Sequence, residues 1–187
     1  MIIVKKSGYL IYKNFKFRCA LGKGGIRQKE KEGDFITPRG KFKLIKIYYR
    51  SDRIKKINSP LKKIKIKKNM GWCDDAKSDY YNKQIIVNKK ISHEKLYRKD
   101  NVYDIIVVLN YNLNPTIKGK GSAIFLHVAK KNYNKTQGCI ALKKNELINL
   151  LSKIKKKHSN KNRVKNNQAN IEVPIRTKVA PQFIANL

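Results

Sequence analysis

The chain has 187 residues with 45 Lys+Arg against 12 Asp+Glu, a formal net charge of +33, and is long enough for one domain with its own core. No apolar window is long enough to cross a bilayer, and the opening Met1-Ile-Ile-Val-Lys-Lys-Ser7 reads as a short strand rather than a secretory leader. The charge draws polyanions at low salt, but it is spread along the chain and gathered on no recognisable module, so no specific nucleic-acid partner is expected.

Short alternating runs dominate the first half. Phe15, Phe17, Cys19 and Leu21 are expected to share one strand face, and Ile45, Ile47 and Tyr49 another. Residues 55–68 are lysine-rich with Ile64 and Ile66 alternating, which fits either an exposed edge strand kept soluble by charge or a solvated loop. Ser92 is placed as the N-cap of a short helix carrying His93. The run Tyr103–Asn112 is apolar on both faces and predicts a central strand, with Ser122–Val128 as a second. The proline and glycines of 114–121 punctuate the chain between them, which makes the two strands neighbours. Leu147, Leu150, Leu151 and Ile154 recur at helical spacing, so a helix is expected from about Asn145. From about Lys155 the periodicity fades. Residues 1–157 are read as one mostly β domain with a few short helices, and 158–187, including His158, as a basic, weakly ordered tail in which Ile171–Ile175 could add one strand.

The three cysteines, Cys19, Cys73 and Cys139, show neither a disulfide framework nor metal-ligand spacing, so no metal or other cofactor is called for. Cys19 and Cys73 read as ordinary buried thiols. The informative stretch is Ala123–Leu142. It sets His127 at the end of an apolar strand and, 139 − 127 = 12 positions on, Cys139 directly after Gly138 in Thr136-Gln137-Gly138-Cys139. Two adjacent strand ends would bring imidazole and thiol together. A free thiol titrates near ~8.5, so a nucleophile at neutral pH needs a neighbouring base, and His127 is expected to draw the apparent thiol pKa below that value. The backbone N–H groups of Gly138 and Cys139 form the candidate oxyanion hole. Spacing alone equally admits a buried structural cysteine and a satisfied histidine. His93 and His158 read as surface residues, and Asp34 as a turn cap ahead of Thr37-Pro38-Arg39-Gly40 or a partner for a nearby lysine.

The segment from His127 to Ile140 resembles the signature of the L,D-transpeptidase catalytic domain family (YkuD-type), a strand-end histidine followed by Ser/Thr-x-Gly-Cys-Ile/Val. Upstream, Gly33-Asp34-Phe-Ile-Thr37-Pro38-Arg-Gly40-Lys-Phe42 resembles the same family's Asp-x-x-Thr-Pro-x-Gly-x-Phe turn and strand, in the expected order. The resemblance covers about residues 15–155 and implies a single-domain β-sandwich or barrel-like fold. It implies Cys139 as nucleophile, His127 as base oriented through the Val128 carbonyl, Gly138 at the oxyanion hole, and Thr136 and Gln137 against substrate. The chain departs from the commoner family pattern at Thr136-Gln137, where Ser-His is usual, and at Ala141, where an Arg is usual. Gly71-Trp72-Cys73-Asp74-Asp75 and Tyr80-Tyr81-Asn82 resemble a bacterial subgroup, as lining of the cleft or as a Trp-anchored loop.

The activity so implied is cross-linking of peptidoglycan stem peptides, donor tetrapeptide to acceptor diamino acid, by a monomer at the periplasm or cell envelope. The same site with water as acceptor would be an L,D-carboxypeptidase. A catalytically idle basic module for the envelope or nucleic acid is the reading from another class.

Overall fold

A computed structural model describes residues 1–87, 89–155 and 169–173, and no helix among them is long and apolar enough to cross a membrane. The N-terminal strands β1 (Ile2–Lys5), β2 (Tyr9–Tyr12) and β3 (Phe15–Arg18) form a meander, followed by the two-residue pair β4 (Ile26–Arg27) and β5 (Thr37–Pro38). The long β6 (Gly40–Tyr49) carries β7 (Lys62–Lys65) on its flank, so the lysine-rich segment does supply an edge strand. Three short strands, β8 (Met70–Cys73), β9 (Gln84–Ile86) and β10 (His93–Lys95), make a separate sheet in the order β10-β8-β9. Then come β11 (Ile105–Leu109), β12 (Phe125–Val128), β13 (Ile140–Leu142), helix α1 (Lys144–Lys153) and β14 (Ala169–Val173).

The main sheet runs β13-β12-β11-β6-β14-β1-β2-β3. Its two ends meet, because just past β3 the backbone of Ala20 exchanges hydrogen bonds of 2.8 and 3.0 Å with Ala141 on β13. Two residues on, Gly22 bridges Thr136, flanked by bonds of 2.9 Å from Thr136 N–H to the Leu21 carbonyl and from Lys23 N–H to the Thr136 carbonyl. The result is a nearly closed, barrel-like sheet, one of the architectures the family resemblance implied. Closure leaves the sheet ends no unpaired edge at this point.

Strand β11 is buried along its whole length, as an apolar run on both faces requires. Ile105, Val107 and Leu109 join the interior cluster with Leu44, Ile47, Leu126, Ile140 and the α1 leucines 147, 150 and 151, while Ile106 and Val108 join a second cluster around Tyr48, Trp72, Phe125 and Cys139. Helix α1 begins one residue before the expected start. Glu146 in its first turn and Lys153 in its last complement the helix dipole.

Three expectations change. Val107 pairs with Ile47 but Leu109 pairs with Leu44, so three residues of β6 answer two of β11. This β-bulge breaks the alternation, sends Ile45 to the second cluster and leaves Leu44 and Ile47 facing the interior, so Ile45, Ile47 and Tyr49 do not share a face. Phe15 starts the β3 alternation exposed, while Phe17 and Cys19 are buried. The segment after Ser92 is strand β10, not a helix: it lacks a helical apolar stripe, and β8 offers it a ladder in which His93 pairs with Cys73 and Glu94 with Trp72. Gly71 permits the approach, since a Cβ there would lie 2.9 Å from the His93 ring.

Within the span read as a tail, Ala169–Val173 form a strand of the sheet, parallel to β1 and antiparallel to β6. His158 and the remainder of 158–187 lie outside the described residues. Ile171 and Val173 are fully buried between β1 and β6. Ile171→Ala is therefore expected to destabilise the fold by about 2–5 kcal/mol in denaturant unfolding, whereas Lys41→Ala, on the exposed face of β6, changes it by about 0.5 kcal/mol or less.

Candidate active site

Strands β12 and β13 run parallel, with Leu126 opposite Ile140 and His127 opposite Ala141. Alternation puts Phe125 and His127 on the face of the second apolar cluster, and Cys139, entering β13, on the same face. Both His127 and Cys139 line one cleft of about 330 Å³, bounded by Lys23, Lys29, Arg98, Lys130 and Lys135 among the cations and Glu32, Asp74 and Glu94 among the acids.

Gly138 has to be glycine for two reasons. Its φ is +137°, and a Cβ would lie 2.9 Å from the Ile36 carbonyl oxygen. Ile36 is held there by the Asp-x-x-Thr-Pro motif: the Thr37 hydroxyl accepts the Gly22 N–H at 2.9 Å, and the Thr37 N–H donates to the Gly25 carbonyl at 2.9 Å. The two sequence motifs are thus in contact, one beneath the other. Asp34 fills both roles left open by the sequence, since it pairs with Lys29 and accepts the N–H groups of Glu30, Lys31 and Ile36.

Cys139 is 9 % exposed, and its thiol is held by the backbone of the chain entering β12. Its Sγ donates to the Ala123 carbonyl at 3.1 Å and accepts the Phe125 N–H at 3.3 Å. The His127 ring meets the Val128 carbonyl through Nδ1 at 2.9 Å, as the family resemblance implied. A carbonyl only accepts, so Nδ1 carries the proton and Nε2 is left with the lone pair, the tautomer a base requires. Tyr103 stands edge-on to the imidazole, with ring centroids 5.4 Å apart.

Burial decides the protonation states of this pair. It pushes the Cys139 thiol up to about 12, against a partial offset from the Phe125 N–H. It also holds the His127 imidazole down to about 4, although the bond to the Val128 carbonyl opposes the shift. The expectation of a lowered thiol pKa is not met: burial favours the neutral form of both the thiol and the imidazole that line this cleft.

Thr136 lines the cleft, but its hydroxyl is committed within the loop, donating to the Cys139 carbonyl at 2.6 Å and accepting the Gly138 N–H at 3.2 Å. Gln137 is exposed at the cleft with a free-standing side chain. Ala141 is fully buried behind His127, and the cations of the cleft come from other segments, Lys29 being almost wholly buried in its wall. His93 lies on β10, where its Nδ1 meets the Ile91 carbonyl at 2.6 Å.

The Trp72–Asn82 region proves to be scaffold for this face. Trp72 packs edge-on to Phe125 at 5.1 Å and donates its Nε1–H to Asn82 Oδ1 at 2.9 Å, while Asp74 reaches the cleft. Sequence reasoning missed Tyr103, Glu94 and Lys29 as cleft residues. Tyr103 stands at the margin of the apolar run 105–109, a weak signal, and the sequence around Lys29 and Glu94 carries none.

A thiol and a correctly tautomeric imidazole on one face of a charged cleft can carry out acyl transfer. The sequence model of the YkuD L,D-transpeptidase catalytic domain matches residues 1–175, nearly the whole chain, and the protein belongs to that family. Members act on peptidoglycan peptides in the cell wall. No curated protein matches the chain significantly.

The neutral pair sets the sign of the pH dependence. Protonation of His127, which would silence a base, sets in only as pH falls toward about 4, and ionisation of Cys139 only as pH rises toward about 12. If they act together, kcat/KM for acylation is expected to stay flat between about pH 5 and about pH 9. A rise of ten-fold or so per unit across that window would instead mark a pre-formed thiolate as the reacting species.

Proposed function

We propose that this chain cross-links peptidoglycan stem peptides through a thioester on Cys139, with His127 as general base and acid. What supports the reading most directly is the placement of a Gly-preceded thiol and an imidazole with a free Nε2 on one face of the same cleft. In the first step Cys139 Sγ bonds to the carbonyl carbon of the third, diamino-acid residue of a tetrapeptide stem as its proton passes to His127 Nε2. The imidazolium then returns that proton to the departing amine of D-Ala as the C–N bond breaks, leaving the thioester. In the second step the side-chain amine of another stem attacks the thioester carbonyl and gives its proton to Nε2. The C–S bond breaks, and the proton is passed back to Sγ.

Charge develops on the carbonyl oxygen in both steps. The Gly138 and Cys139 N–H groups are the assigned donors, and Gly138 must first exchange its bond to the Thr136 hydroxyl for the oxyanion. Burial of the pair favours a concerted route, because neither partner carries charge before substrate arrives. Gln137 is the assigned contact for the donor strand, with Thr136 shaping the loop behind it. The chain is assigned to the cell envelope, where such stems are found. Water in place of the amine would give the L,D-carboxypeptidase product, so the assay must read both products.

Incubation with defined tetrapeptide stems and mass spectrometry of cross-linked and shortened products is the test. Cys139→Ala is expected to abolish turnover, and His127→Ala to slow acylation by about 10²–10⁴, the usual contribution of a positioned general base. His93→Ala and Cys19→Ala should leave turnover near wild type. Wild-type turnover by Cys139→Ala would dismiss the nucleophile assignment.

A further inference from the structure

Asn82 is 2 % exposed and sits at φ +58°, a region asparagine tolerates better than most residues. Every hydrogen-bonding position of its amide is used. Oδ1 accepts Trp72 Nε1–H at 2.9 Å and the Ala123 N–H at 3.1 Å, and Nδ2 donates to the carbonyls of Tyr111 at 3.1 Å and Asn112 at 2.6 Å. Two partners can only donate and two can only accept, so the amide has one orientation.

The residue it grips, Ala123, is strained. Its φ is +51°, outside the usual range for a residue with a Cβ, and its carbonyl is the group that accepts the Cys139 thiol proton. The same short segment donates the Phe125 N–H to Sγ. The orientation of the thiol is therefore set by the 123–125 backbone, and at Ala123 that backbone is held in a conformation it would otherwise leave. Among the described residues, the only side-chain bond on the Ala123 peptide N–H comes from Asn82, 41 residues earlier in the chain.

We propose that Asn82 is a positioning residue for Cys139: its amide fixes Ala123 at positive φ, and the Ala123 carbonyl in turn holds the thiol buried and aimed along β12. The proposal rests on the reading of Cys139 as the nucleophile for its effect on turnover, but not for its effect on the thiol itself. Without the amide, Ala123 relaxes, its carbonyl swings from Sγ, and the thiol loses the acceptor that favours its neutral form.

The test measures two quantities on Asn82→Ala: stem-peptide acylation, and iodoacetamide labelling of the free protein with each cysteine resolved by peptide mapping. Acylation is expected to fall by about 10- to 100-fold, the scale of a small misplacement of a reacting group, while labelling of Cys139 rises against that of Cys19 and Cys73. Adding Ala123→Gly should restore much of both, because glycine takes positive φ without strain. A role confined to holding the 111–112 turn could not be repaired from position 123. Should Asn82→Ala not fold, the double variant, relieved of the strain, provides the reading, and wild-type-like labelling and acylation are then expected. Ile171→Val serves as the comparison for plain loss of stability, raising labelling of all three cysteines together. Three results would overturn the proposal: an unchanged Cys139 in folded Asn82→Ala, equal acceleration at all three cysteines, or no repair by Ala123→Gly. Altered Cys139 labelling with turnover indifferent to Cys139→Ala would sustain the positioning role and dismiss the nucleophile.

Discussion

The site depends on where the sheet closes. Ala20 bonds to Ala141 and Gly22 bridges Thr136, so the chain leaving the N-terminal meander clamps both sides of the loop that holds Gly138 and Cys139. A Cβ on Gly22 would lie 3.0 Å from the Gly138 Cα, and one on Gly138 would lie 2.9 Å from the Ile36 carbonyl. The glycines allow backbones to touch where the barrel seals, and the thiol emerges from that seam. Closing the sheet and placing the Cys139 thiol are thus the same structural event.

Electrostatics follow from that burial. Burial of both side chains disfavours their charged forms, raising the thiol and lowering the imidazole. The net charge of +33 does not undo this. The cation that acts on the thiol, Lys29, is already paired with Asp34, and the acid Glu94 pulls the thiol the other way. In the proposed reaction, such an arrangement leaves proton transfer to the moment of attack.

Much of this was legible in the sequence. The apolar run 105–109 could only be a doubly covered strand, and the His127, Gly138, Cys139 order with its upstream Asp34-x-x-Thr37-Pro38 turn named the family. The β6 bulge was not legible, because register is set by the pairing of two strands and a periodicity in one of them does not report it. Strand β10 was misread because a capping residue is a local signal, while the ladder offered by β8 is a tertiary one. The role of Asn82 has no local signal. Its four partners, at positions 72, 111, 112 and 123, come together only in the folded chain.

In the proposed reaction the sulfur of Cys139 carries the acyl group between donor and acceptor. Acid-quenching the full chain during turnover of a tetrapeptide stem, followed by intact mass and peptide mapping, tests it most directly. A hydroxylamine-labile adduct on Cys139, with the mass of the stem less its terminal D-Ala, is expected. Continued turnover with no adduct, or with the adduct on another residue, would contradict it.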